Sequence, residues 1–168
     1  MKGRNYRRVK GQPYTRKEYI HGSPSLKISR FTMGDSKATY EHKVSLLTEN
    51  TVQIRHNALE AARVAANKAL SDKLGEVGYL LNLCVYPHVV LRENRMIATA
   101  GADRLQEGMR RAFGKPSGRA ARVKADQPII SIYVNRDAVE YAKSALKIGA
   151  GKLPTSSRIV VEKLAQAG

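Results

Sequence analysis

The chain has 168 residues, which is enough for one domain with a buried core and too short for two large domains. It carries 30 lysines and arginines against 14 acidic residues, a formal net charge of +16. Such an excess repels itself in a compact state and disfavours a typical soluble enzyme, whereas a nucleic acid partner would neutralise it. The basic residues are spread over loops and not along one amphipathic helix, which argues against a membrane surface.

The single cysteine, Cys84, excludes an internal disulfide and fits a reducing compartment. Because Cys84 lies in an apolar segment, we expect it to be a small core residue. The most apolar stretch, residues 79–91, is broken by Asn82, Pro87 and His88 and is shorter than the roughly 20 residues that span a bilayer. The N-terminus lacks the apolar stretch of a signal peptide. We therefore expect a cytoplasmic protein.

Residues 1–34 are predicted to form a basic N-terminal arm. Within residues 1–30 there are nine basic side chains and one acid, Glu18, with glycine and proline between them. This composition is typical of an extended segment that does not order alone. Tyr6, Tyr14 and Tyr19 lie among the charges, and aromatic side chains of this kind suit stacking on unpaired bases. The alternative is a disordered tail that keeps the protein soluble.

Two strands and a helix are predicted next. Val44–Thr48 and Thr51–Ile54 are typical of strands, with a turn or bulge at residues 49–50. Asn57 is predicted to cap the helix, and Glu60, three residues later, would complete a capping box. Gly75 is predicted to end this helix. One face repeats apolar side chains at helical spacing: Leu59, Ala62, Ala66, Leu70 and Leu74.

The central part of the chain combines apolar strands with a long loop. Tyr79–Tyr86 is predicted to be a buried strand, and Val89–Arg92 a second strand after Pro87. Residues 98–128 are rich in glycine and proline, and we predict a long loop there. Loops longer than about 15 residues are usually functional or disordered.

The last third of the chain is predicted to form a strand, a helix and a short strand. Ile129–Val134 has the pattern of a strand, and Asn135 is expected to cap a helix that runs to about Ile148. Its inward residues are predicted to be Ala138, Ala142, Ala145 and Leu146, and its end is assigned to Gly149 and Gly151. Arg158–Val161 is predicted to be a strand.

Residues for catalysis or metal binding do not cluster in the sequence. The four histidines have no zinc-ligand spacing, and we interpret His56 as structural. Five residues separate Gly108 from Gly114, where a phosphate-binding loop has four. Asp103 and Glu107 lie among arginines, and ion pairs explain them better than acid–base catalysis. We predict no cofactor, no metal and no small-molecule substrate.

A second basic segment runs from Arg92 to Lys124. It holds nine basic residues, seven of them arginine, against three acids. Arginine offers a planar fork that fits phosphate and also stacks on bases. Glycines in the segment let its backbone approach another backbone closely. This pattern favours a loop that enters a phosphate-lined cavity, and the alternative is a solvated surface loop.

The same segment carries a resemblance to a known family. Residues 102–123, ADRLQEGMRRAFGKPSGRAARV, resemble the signature of the archaeal and eukaryotic ribosomal protein family "L ten e", whose bacterial relative is "L sixteen". Residues 24–34, 52–62 and 86–101 agree as well, and the resemblance covers nearly all of residues 2–165. The arm departs from the family pattern at NYRR, residues 5–8, and at YTRK, residues 14–17. The chain ends soon after its last predicted strand, which points to an archaeal-type member.

The resemblance implies a fold, a place and partners. The fold is α+β, a two-layer sandwich of two helices on an antiparallel or mixed sheet, with residues 35–168 as one rRNA-binding domain. The protein sits in the large ribosomal subunit and binds its rRNA near the peptidyl transferase centre. There it helps to form the site for aminoacyl-tRNA, with the loop matching residues 101–118 pointing toward the centre. Neighbouring large-subunit proteins are expected partners, and 5S rRNA is a further candidate.

On this reading no residue is catalytic, and a set of basic residues contacts RNA. Phe113 either stacks on a base or anchors the loop to the body. A free RNA-binding protein or RNA chaperone is the alternative function, and an RNA-acting enzyme is a third. The predicted RNA-binding residues are Arg4, Arg7, Arg8, Lys10, Arg16, Lys17, Arg92, Arg95, Arg104, Arg110, Arg111, Phe113, Lys115, Arg119, Arg122 and Lys124.

Overall fold

The computed structural model describes residues 3–94 and 112–164. Within them the chain forms two antiparallel sheets and two α-helices, which confirms the α+β class. None of the helices in this part of the chain is long and apolar enough to cross a membrane. The elements are β1 (Thr32–Gly34), β2 (His42–Thr48), β3 (Val52–Arg55), α1 (His56–Leu74), β4 (Leu80–Leu83), β5 (Val89–Glu93), β6 (Lys115–Val123), β7 (Pro128–Val134), α2 (Val139–Ala150) and β8 (Ser157–Lys163).

The larger sheet has five strands in the order β1-β4-β7-β2-β8. Its central strands bury Val44, Leu46, Ile130 and Ile132 completely, as expected for a sheet covered by helices. The helices α1 and α2 pack against each other, and Gly149 lies at their contact. A Cβ atom at Gly149 would lie 3.3 Å from the backbone oxygen of Ala62, so small residues set the distance between the helices.

The smaller sheet has three strands in the order β3-β6-β5. Strand β6 is central and pairs Ala121 with Ile54 and Ala120 with Val89. Strands β2 and β3 follow each other in the chain but belong to different sheets. The predicted turn at residues 49–50 therefore passes the chain from one sheet to the other.

The capping box predicted for α1 is wrong. The helix begins at His56 with Arg55 as its N-cap, and no side chain caps it. Glu60 instead pairs with Arg63 at 2.6 Å and accepts a hydrogen bond from Ser29 at 3.1 Å. Arg63 is buried, and a buried charge is costly unless it is paired. The Glu60 carboxylate therefore stabilises the structure more as the partner of Arg63 than as a cap at the start of the helix. The predicted stop is confirmed, since Gly75 has φ of 69° and donates to the Ser71 carbonyl.

The start of the second helix and the role of Gly149 differ from prediction, while Gly151 is its C-cap as predicted. Asn135 precedes a 3-10 turn, Arg136–Ala138, and makes no side-chain cap, so α2 begins only at Val139. The helix continues past Gly149 to Ala150, because Gly149 lies inside the contact with α1. The predicted inward residues are confirmed, since Ala142, Ala145 and Leu146 are fully buried.

The predicted loop of residues 98–128 is wrong in its second half, because β6 occupies Lys115–Val123. Its small residues are buried between two neighbouring strands, with Ala120 and Val123 fully buried. Glycine and proline favoured a loop in the prediction, but Pro116 is compatible with the strand. It lies near the start of β6, where the pairing with β5 shifts register. Residues 98–111 lie outside the described residues.

Cys84 is exposed, which contradicts its predicted place in the core. It follows the end of β4, and its Sγ lies 3.3 Å from Ser131 Oγ as a hydrogen-bond donor. Tyr79–Tyr86 was predicted as one buried strand, but β4 covers only Leu80–Leu83, and burial alternates along the chain from Leu81 to Tyr86. Cys84 falls on the exposed side of this alternation. The second predicted strand is confirmed as β5.

Candidate nucleic-acid interface

The N-terminal arm lies against the three-stranded sheet and is held by backbone hydrogen bonds. The backbone amide of Gln53 donates to the Arg7 carbonyl at 2.8 Å, and the amide of Val90 donates to the Tyr14 carbonyl at 2.8 Å. Gln53 is buried, and its side-chain Nε2 donates to the Tyr6 carbonyl at 2.9 Å. The arm therefore has a defined path over β3 and β5.

Tyr6 anchors the arm. Its ring is only 9% exposed and packs with Leu91 and Ala120 of the sheet. The expectation that the arm tyrosines stack on bases is wrong for Tyr6, because its faces are covered by the protein. Tyr19, by contrast, is 71% exposed.

Arg4, Arg7 and Arg8 are exposed beside this anchor and line a cavity of about 440 Å³. The cavity lies where the arm meets the β2–β3 turn and the loop before β8, and we call it the junction cavity. Its lining also includes Asn50, Thr51, Val52, Pro154, Thr155 and Ser156. None of these described lining residues is acidic, so the cavity is suited to an anion.

Arg122 holds the arm on its other side. Its guanidinium donates to the carbonyls of Gly11 at 2.7 Å and Lys10 at 3.1 Å, and its Nε donates to Gln53 Oε1 at 3.3 Å. Arg122 was predicted to contact phosphate, and the structure places its donors on the arm backbone. Lys10 itself is exposed, and its carbonyl contributes to this contact.

Arg92 connects the arm to residues 92–94 and 112–115, the two chain segments on either side of the undescribed part of the basic segment, which we call the loop stem. Its guanidinium lies 3.6 Å from the ring centroid of Phe113 and 5.1 Å from that of Tyr14. It also donates to the Phe113 carbonyl at 2.9 Å. The two rings meet edge to face with centroids 5.7 Å apart, while Phe113 remains 65% exposed. Phe113 thus anchors the loop stem and still has exposed ring surface.

The remaining described candidates are distributed over the smaller sheet, its flanking loops and the arm. Arg119 Nη2 donates to Ser23 Oγ at 3.4 Å, and Lys17 lies 5.7 Å from the ring centroid of Tyr86. Arg16, Lys115 and Lys124 are exposed. Four predicted residues lie outside the described residues, namely Arg95, Arg104, Arg110 and Arg111.

His56 has the structural place that was predicted for it. It is buried at the start of α1, and its Nδ1 accepts a hydrogen bond from the Lys27 amide at 3.3 Å. Burial lowers the pKa of His56, and the nearby charges of Lys27, Arg119 and Arg55 lower it further. In the described part of the chain, no group of His, Cys, Asp and Glu side chains is arranged to hold a metal ion.

Sequence reasoning missed the neutral residues of this surface. Gln53 interrupts an apolar strand, and a polar side chain in a buried strand position is a signal that it has a specific partner. Asn50, Thr155 and Ser156 lie in loops that are distant in the chain, and nothing in their local sequence indicates that they meet the arm. The fold alone brings them together.

The comparisons with known proteins identify a family. The family model described as "Ribosomal protein L16p/L10e" matches residues 9–160. A protein of Hyperthermus butylicus named "Large ribosomal subunit protein uL16" is 56% identical over 90% of this chain and 84% of its own length. Proteins of the same name from Staphylothermus marinus and Archaeoglobus fulgidus are 53% and 50% identical, covering 96% and 95% of this chain and 92% and 91% of their own lengths.

These relatives are archaeal, as expected for an archaeal-type member, and they carry the name of a ribosomal protein and not of an enzyme. The family model and the relatives each cover most of the chain, including the docked arm from residue 9 onward and both sheets. The chain therefore belongs to the ribosomal protein L16p/L10e family.

Proposed function

We propose that the protein is a structural constituent of the large ribosomal subunit in the cytoplasm, where it binds large-subunit rRNA near the peptidyl transferase centre and helps to form the aminoacyl-tRNA site. The observation that carries this proposal is the docked arm. It presents Arg4, Arg7 and Arg8 on a backbone that Gln53 and Tyr6 hold in place. The relatives are named as proteins of the large ribosomal subunit, and we propose the same location for this chain.

A docked arm favours RNA binding because less of the chain has to be ordered when RNA arrives. Fixing the backbone of one residue costs roughly 1–2 kcal/mol, and the contacts of Gln53 and Arg122 already restrict the arm along several residues. The exposed arginines can then face phosphates in one geometry, which increases affinity and defines the orientation of the RNA.

The position near the peptidyl transferase centre is supported by the basic segment and its stem. Arg92 connects the arm to the stem of this segment through Tyr14 and Phe113, so arm and stem form one continuous surface. We propose that Arg104, Arg110, Arg111, Lys115 and Arg119 contact rRNA there, some of them close to bound tRNA. Neighbouring subunit proteins and 5S rRNA remain candidate partners.

A salt titration tests the RNA-binding part of the proposal. Arg7→Gln should weaken binding of the full chain to a large-subunit rRNA fragment and lower the slope of log K against log salt by roughly one unit, because one phosphate contact is lost. Arg158→Gln is the matched control, since Arg158 is an exposed arginine of β8 that pairs with Asp126 at 2.9 Å and lies outside the proposed surface. Equal slopes for the two variants would contradict the role of the arm.

Cross-linking in intact particles tests the location. A photoreactive group at residue 113 should form adducts with rRNA of the peptidyl transferase region. Sedimentation of a lysate gives the control, because the protein should remain in the large-subunit peak at moderate salt. Recovery mainly in the free fractions would instead support a free RNA-binding protein or an RNA chaperone.

A further inference from the structure

We propose that the junction cavity binds one ribose–phosphate unit of RNA and that its neutral residues select ribose over deoxyribose. Asn50, Thr155 and Ser156 would contact the sugar 2′-hydroxyl, while Arg4, Arg7 and Arg8 hold the phosphate. The inference rests on the proposed function, since it assigns a ligand class and a sugar preference to one part of the same surface.

The basic part of the lining comes from one short, anchored turn. Residues 3–6 form a 3-10 turn, and the Arg7 amide donates to the Arg4 carbonyl at 3.4 Å. Burial of Tyr6 fixes the turn on the sheet, and Arg4 in the turn lines the same cavity as Arg7 and Arg8, which directly follow it. Guanidinium groups offer paired N–H donors that match two oxygens of one phosphate. This part of the cavity recognises phosphate in RNA and DNA alike.

The neutral part of the lining comes mainly from the β2–β3 turn and the loop before β8, and it has hydroxyl groups. Asn50 Nδ2 donates to Ser156 Oγ at 3.4 Å, and Thr155 Oγ1 donates to the Ser156 carbonyl at 3.1 Å. The Glu49 amide donates to the Ser156 carbonyl at 3.3 Å, which holds the two loops together. In this arrangement the Ser156 hydroxyl keeps its own hydrogen to donate, and the Thr155 oxygen keeps lone pairs to accept.

A ribose 2′-hydroxyl needs one acceptor and one donor, and it is the group that distinguishes RNA from DNA. The hydroxyls of Thr155 and Ser156 offer both within the cavity that the arginines line. The cavity volume of about 440 Å³ falls in the range of roughly 300–1,000 Å³ that is typical of small-ligand sites. A single backbone unit therefore fits this site better than a long groove contact.

The experiment is an NMR titration of the full ¹⁵N-labelled chain with a short oligouridylate and with the oligodeoxyuridylate of equal length. Amides of residues 4–8, 50–51 and 155–156 should shift with both ligands, and the RNA should bind several-fold more tightly at these amides. The double variant Thr155→Val with Ser156→Ala should bring the RNA affinity down to the DNA affinity. The variant Arg7→Gln with Arg8→Gln should weaken both ligands to a similar extent.

Two further variants control for the fold. Thr155→Ser with Ser156→Thr keeps both hydroxyls and should keep the sugar preference. Ser36→Ala with Thr39→Val removes two hydroxyls at exposed positions elsewhere and should also leave the preference unchanged. Equal affinities of the unmodified chain for the two oligonucleotides at these amides would overturn the inference, as would a preference that survives loss of both hydroxyls. The proposed function fails separately, through loss of binding to large-subunit rRNA.

Discussion

At the scale of single residues, the charged and polar side chains of this protein have different tasks that composition does not separate. Arg7 and Arg8 are exposed and available to a partner, whereas Arg122 directs its donors to the arm backbone. Arg63 is buried and pairs with Glu60, which also lowers the pKa of the Glu60 carboxyl. Arginines of this chain therefore differ in their surroundings: some are exposed, one is hydrogen-bonded to the arm backbone, and one is buried in an ion pair.

His56 leads to a prediction about pH. Its folded-state pKa is lowered by burial and by Lys27, Arg119 and Arg55, so the unfolded chain takes up a proton at higher pH than the folded chain. The contribution of His56 to stability is therefore complete above its ordinary pKa of 6.5 and is lost as the pH falls below that value. Urea unfolding between about pH 7.5 and 5.5 should show a decreasing free energy of unfolding.

A matched pair of variants isolates the contribution of His56. His56→Gln should reduce the pH dependence of the free energy of unfolding in this window, because the glutamine side chain does not titrate. His21→Gln should not, since His21 is exposed in the arm. If the two variants keep the same pH dependence, the buried imidazole is not its source.

At the scale of elements, the arm behaves as a part of the smaller sheet. Gln53 connects them, because its backbone donates to Arg7, its side chain donates to Tyr6 and its Oε1 accepts from Arg122. The sequence predicts a basic arm at residues 1–34, but composition alone does not predict where it lies. The reason is that its anchors, Tyr6 and Gln53, are 47 positions apart and each is uninformative alone.

Substitution of Gln53 tests this connection. Gln53→Met should cost about 1–3 kcal/mol of stability, because the Tyr6 carbonyl and the Arg122 guanidinium lose a buried partner. It should also speed tryptic cleavage after Lys10 under native conditions. The measurements are urea unfolding and limited proteolysis. Gln12→Met, the same change at an exposed arm position, is the control, and equal cleavage rates for both variants would show that Gln53 does not hold the arm.

At the scale of the whole molecule, the net charge of +16 opposes the compact fold. Exposed ion pairs among the described residues, such as Lys43 with Glu162 at 3.1 Å, contribute at most about 1 kcal/mol each. Self-repulsion of the excess positive charge is longer in range and is screened by salt. The folded chain is therefore suited to a polyanionic environment.

This imbalance predicts a salt effect on stability. Raising NaCl from about 0.05 to 0.5 M should increase the melting temperature of the isolated chain, since screening reduces the repulsion more than it weakens surface ion pairs. Thermal unfolding followed by circular dichroism measures the shift. An uncharged osmolyte at the same osmolality controls for excluded-solute effects. A melting temperature that falls with salt would mean that attractive pairs dominate.

Charge, composition and apolar periodicity were sufficient to predict a polyanionic partner, the buried faces of both helices and most strand positions, while the α+β class came from the family resemblance. The first three are local or additive properties, so they can be read along the chain. Three features became visible only in the folded chain: β2 and β3 join different sheets, β6 replaces half of the predicted loop, and the junction cavity forms. They depend on contacts between distant segments, where strand pairing and burial outweigh the local preferences of glycine, proline and asparagine.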